Sequence, residues 1–95
     1  MKHMILCKFL DRAVLTDALT EEIRALFAPA AEIPGIEMVT LQKNCIDRPN
    51  RYDLLITLTM DEAALPVWDA SAIHALWKER YGALLEKKAI FDTED

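Results

Sequence analysis

The residues best suited to chemistry are the two histidines, His3 and His74. An imidazole has an ordinary pKa of about 6.5, so it can take and return a proton near neutral pH. His3 stands at the start of a segment that alternates apolar and polar residues. His74 stands three residues before Trp77, one turn away on the same side of a helical pattern. If both border one cavity, they are placed to exchange protons with a bound ligand. Trp68 and Trp77 would wall that cavity for a flat or polyunsaturated ligand, with Ile5, Cys7 and Ile56 lining its sheet side. Asp69, five residues before His74, is the acid placed to favour its charged form. The competing reading is structural: each histidine satisfies backbone groups or caps an element, and the aromatic residues fill a core.

Other chemistries are poorly served. Cys7 lies four residues beyond His3, about 13 Å along a strand, too far for a Cys–His pair. It reads as a small buried hydrophobe. Cys7 and Cys45 form no CxxC pair, and two histidines without a Cys/His cluster make no zinc motif. There is no Gly-rich phosphate loop and no GxSxG elbow. No cofactor and no metal are expected. The chain has 16 acidic against 11 basic residues, a net charge of −5, which argues against a nucleic-acid partner. No apolar run approaches the ~20 residues of a membrane span. Two unpaired thiols suit a reducing compartment, so the expected location is cytoplasmic.

The elements that must carry these residues follow from periodicity. Residues 2–9 alternate as a strand, with His3, Ile5, Cys7 and Phe9 on one face. Asp11-Arg12 reads as solvated charge. Thr16 or Asp17 caps a helix whose apolar stripe is Leu19, Ile23, Leu26, Phe27 and Ala30. Ile33-Pro34-Gly35 stops it. Residues 36–43 form a second strand, with Val39 and Leu41 on the face opposite Ile36. Residues 44–51 form a polar connector with a mobile tip at 47–51. Residues 52–60 form the clearest strand, with Tyr52, Leu54, Ile56, Leu58 and Met60 on one face. Asp61 and Glu62 open a helical stretch that breaks around 69–71. A second helix is expected over 71–86 and a last strand over 88–93.

The order is β-α-β-β-α-β within one domain, residues 1–95. It predicts an α+β, ferredoxin-like fold: a four-stranded antiparallel sheet with the helices on one face and the first and third strands central. The helices cover Ile5, Cys7, Ile56 and Leu58. The other face, expected to carry Met4, Leu6, Val39, Leu41, Leu55 and Thr57, has nothing in the chain to cover it. A hydrophobic content of 53 % in 95 residues also suggests a second buried surface. Two copies packed sheet to sheet would bury that face as a dimeric α/β barrel.

The residues resemble the stress-responsive A/B barrel (Dabb) family over essentially the whole chain. The matching pieces are 2–9 (KHMILCKF), Ile33-Pro34-Gly35-Ile36, Tyr52-Asp53-Leu54, Trp68 with His74 and Trp77, and Asp92. Ser71-Ala72 stand where the family's segment has His-Pro, so His74 alone remains of its two histidines. The resemblance implies a homodimer linked to stress response. It implies, for this chain, a small carbonyl or polyketide-like ligand held between sheet and helices. A few family members are cofactor-independent cyclases that resemble this chain at His3 and His74. A cyclase or isomerase with His74 as base is therefore the alternative to a dimer without assigned reaction.

Overall fold

In the computed structural model, described over residues 1–94, the chain folds as β1 (Lys2–Phe9), α1 (Asp17–Phe27), β2 (Ile36–Lys43), β3 (Leu54–Met60), α2 (Leu65–Asp69), α3 (Ala72–Tyr81) and β4 (Leu85–Thr93). The strands form one antiparallel sheet in the order β2-β3-β1-β4. The first and third strands are central, as the crossover rule requires. Thr16 caps α1 by accepting from the Leu19 N–H, and Ser71 caps α3 by accepting from the His74 N–H. Gly35 adopts φ +91 in the turn before β2, and a Cβ there would stand 2.9 Å from that of Ala64. Only glycine fits both demands.

The helices cover one face. Ile5, Cys7 and Phe9 of β1 and Leu54, Ile56 and Leu58 of β3 are buried beneath Ile23 and Phe27 of α1, Trp68 of α2, and Trp77 and Tyr81 of α3. Phe27 holds the layer together, with its ring 5.6 Å from Trp68 and edge-on to Trp77 at 5.2 Å.

Three expectations from periodicity need correction. The β2–β3 register shifts between Ile36 and Met38. Beyond that bulge Val39 pairs with Leu58 and Leu41 with Ile56, so both lie on the helix-covered face, and Leu41 is buried. One extra residue reverses every later side chain. The bare face of β2 is instead Met38, Thr40 and Gln42. Second, the last long helix ends at Tyr81 rather than 86. A 3-10 turn (Gly82–Leu84) follows, and β4 starts at Leu85. The Leu10 N–H donates to the Leu84 carbonyl and Leu85 pairs with Phe9, so the sheet captures residues whose local propensity is helical. Third, β3 begins at Leu54, not 52. Tyr52 lies outside it and lines a cleft with Leu6 and Leu55 on the bare face.

Candidate functional site

The structure supplies His3 with a partner 89 residues away. His3 and Asp92 are opposite each other in the β1–β4 ladder, and His3 Nδ1 lies 2.5 Å from Asp92 Oδ1. A carboxylate only accepts, so Nδ1 carries the proton and the neutral ring keeps its lone pair on Nε2. His3 is buried at 6 % exposure, whereas the Asp92 side chain is 43 % exposed. Ile90, two residues along β4 on the same face, pairs with buried Ile5 yet is 50 % exposed. The helix layer therefore stops short of β4, and the pair sits where core meets solvent.

His74 is held differently. Its Nδ1 lies 2.9 Å from the backbone carbonyl of Asp69, and its ring stands 5.3 Å from that of Trp68. The expected carboxylate of Asp69 is not the contacting group; its main chain is. The carbonyl again fixes the proton on Nδ1 and leaves Nε2 as the acceptor in the neutral ring. Among the described residues, Trp68 Nε1 is the buried side-chain nitrogen or oxygen with no partner.

The remaining nominated residues, Ile5, Cys7, Ile56, Trp68 and Trp77, pack together in the core at 0–2 % exposure. Clefts of about 350 and 270 Å³ lie elsewhere and touch neither histidine. The first lies on the bare face; the second is bordered by Met1, Gly35 and Asp61. No group of three or more His, Cys, Asp or Glu side chains among the described residues is placed to hold a metal ion. No helix there is long and apolar enough to cross a membrane.

Sequence reasoning missed the polar lock at the other end of the sheet. Arg12, expected to be solvated, donates from Nη1 to Asp53 Oδ1 at 3.0 Å and from Nη2 to the Asn44 carbonyl at 2.7 Å. Asp53, 1 % exposed, also accepts the Phe9 N–H at 2.9 Å. The one signal was a lone acid at the head of an apolar strand.

Burial pushes the Cys7 thiol up from 9.0 to about 12, with Asp53 adding and Lys88 opposing. A thiol so poor at ionising is no nucleophile at neutral pH. Burial, then the hydrogen bond that Tyr81 donates to Glu22, push its phenol from 10.0 to about 12, against Arg80. Both groups are neutral when protonated, so the folded chain keeps protons that the unfolded chain has lost. The contribution of these two groups to stability should therefore be constant up to about pH 9 and fall toward pH 12. The slope is roughly 1.4 kcal/mol per pH unit from Cys7, and about twice that above pH 10, where Tyr81 joins. Urea unfolding at stepped pH checks this: Cys7→Ala should flatten the limb between pH 9 and 10. A wild-type curve level to pH 11 would count against both assignments.

No protein-family model and no curated protein matches this chain. Solved structures do. A dimeric ferredoxin-like protein of unknown function from Thermobifida fusca superposes with a TM-score of 0.76 at 15 % identity, over 95 % of this chain and 85 % of that one. A dabb family protein with a ferredoxin-like fold from Mesorhizobium loti gives 0.64 at 15 %, over 99 % and 94 %. The fold is ferredoxin-like. The Dabb resemblance read from the residues and the likeness to this dabb family structure agree. The same fold also houses a hydroxynitrile lyase from Passiflora edulis, at a TM-score of 0.72 and 14 % identity over 99 % and 94 % of the two chains.

Proposed function

We propose that this ferredoxin-like chain works as a homodimer and that each protomer carries an acid–base site at His3 and Asp92 for a small carbonyl compound of polyketide-like character. The observation that carries the site is the 2.5 Å contact between a buried imidazole and a half-exposed carboxylate, beside an uncovered Ile90. The carboxylate orients the ring and stabilises the imidazolium that forms. His3 Nε2 takes the proton from a carbon next to the carbonyl, leaving an enolate. The enolate carbon attacks a second carbonyl of the same ligand, and the resulting alkoxide takes that proton back from the imidazolium. The step forms one carbon–carbon bond and needs no cofactor. Ile90, exposed on the same face, borders the ligand, with Ile5, Cys7, Ile56, Trp68 and Trp77 packed behind His3 in the core. The hydroxynitrile lyase among the structures of this fold shows that the fold can house an enzyme.

The homodimer is supported by the uncovered face, where Met38 and Phe91 are exposed and Met4, Leu6 and Leu55 are half-buried, and by structures of this fold described as dimeric. Stress association and a cytoplasmic location belong to the same proposal. They rest on the Dabb resemblance and on the free thiols of Cys7 and Cys45.

A second reading gives the base role to His74. Trp68, whose buried N–H has no acceptor, packs against His74, and a ligand carbonyl between the rings would supply one. Thermal shift against a carbonyl-rich metabolite library separates the two. Under the first reading, a ligand that raises the melting temperature of the wild type loses its effect in His3→Gln and Asp92→Asn and keeps it in His74→Asn. The opposite pattern assigns the site to His74. A shift that survives all three substitutions overturns both.

A further inference from the structure

We infer that the cleft on the uncovered sheet face receives Phe91 from a second copy of this chain. The inference rests on the homodimer proposed above and specifies how the two faces interlock. The cleft, of about 350 Å³, is lined mainly by Leu6, Gln42, Cys45, Tyr52, Leu54 and Leu55. Leu6, Leu55 and Gln42 lie side by side across three strands, one rung from the row that contains Met4 and Phe91. Phe91 is on the same face, pairs with Met4, and is 60 % exposed. One face thus carries both an apolar hollow and an aromatic projection.

A two-fold interface demands this kind of self-complementarity, because whatever one copy inserts it must also receive. An aromatic ring is the side chain that supplies most contact area at such sites, and it is favoured in the buried centre of interfaces. The receiving wall is itself aromatic: Tyr52 lines it, and its ring is flanked by Lys87 Nζ at 5.5 Å from the centroid. Lys87 Nζ stands over one face of the Tyr52 ring, so the cleft joins an aromatic wall to a neighbouring cation. A second copy is the occupant because it brings this projection with the matching symmetry, and because structures of this fold over nearly the whole chain are described as dimers. Each site is completed by a residue from the other protomer.

Cys45 at the cleft supplies the test. In Phe91→Cys, mild oxidation should give a covalent dimer on a non-reducing gel, and the additional change Cys45→Ser should abolish it. Phe91→Ala should weaken dimerisation at least tenfold in sedimentation, with the helical circular dichroism unchanged. A chain that stays monomeric at hundreds of micromolar overturns the homodimer, and with it this inference. A wild-type dimer whose Phe91→Cys variant does not cross-link overturns the inference alone. So does a cross-link that persists without Cys45, or a dissociation constant untouched by Phe91→Ala.

Discussion

Asp53→Ala is expected to cost roughly 3–5 kcal/mol, the range for removing one partner of a buried ion pair. The carboxylate is shut off from water at 1 % exposure and joins three segments. Its oxygens accept the Phe9 N–H at 2.9 Å and the Arg12 guanidinium at 3.0 Å. Its own backbone N–H donates to the Cys7 carbonyl at 2.8 Å, and its carbonyl accepts from Asn44 at 2.9 Å. Alanine keeps those backbone bonds but orphans the Phe9 N–H, and it leaves Arg12 with the Asn44 carbonyl and a longer contact to Asp47 at 3.7 Å. Arg12 is 21 % exposed in its side chain and can rehydrate in part, which favours the lower end of the range. Asp53→Asn retains an acceptor for one of the two donors and should cost about half as much. For a domain whose whole stability is of order 5–15 kcal/mol, the alanine variant would stand near unfolding. Urea denaturation at pH 7 is the measurement. A loss under 1 kcal/mol would show that this lock does not hold the connector to the sheet.

Leu55→Asp and Val39→Asp should differ in kind, although alternation within 36–43 would place both residues on one surface. Leu55 lies on the uncovered face, half-buried beside Leu6 and Gln42. A carboxylate there stays hydrated in the monomer and becomes a desolvated, unpaired charge only when a second copy covers it. The dimer should be lost, with dissociation weakened a hundredfold or more, while the monomer keeps its helical signal. Val39 pairs with Leu58 and packs, partly buried, against the core, so a charge there disturbs the folded monomer itself. Val39→Asp should lower the melting temperature at every protein concentration, with a cost of several kcal/mol. Light scattering beside thermal melts at two concentrations reads the contrast. Equal behaviour of the two variants would mean that the bare face is not an interface.

Much of the architecture was legible because its causes are local. The alternation in 2–9 and 54–60 needs no partner to be read, and it placed Ile5, Cys7, Ile56 and Leu58 beneath the helices as found. Thr16 and the 3.6-residue stripe through Ile23 and Phe27 marked α1, and Pro34-Gly35 marked the turn. A β-α-β-β-α-β order leaves few right-handed topologies, so the strand order followed. The two histidines could be nominated from residue type alone.

What remained depended on contacts that no window of sequence contains. The bulge after Ile36 exists only against Met60 and Thr59, and it alone decides that Val39 and Leu41 face the core. The end of α3 was decided by β1, whose backbone pairs with Leu85 more favourably than one more helical turn could satisfy it. Asp92 belongs to the Dabb-like pattern, yet only the β1–β4 register sets it against His3. Arg12 and Asp53 are 41 residues apart, and only the folded chain makes one charge the solvent of the other. Local pattern determines which elements form and which face each turns inward; pairing register, set by the summed contacts of distant strands, determines which polar groups meet.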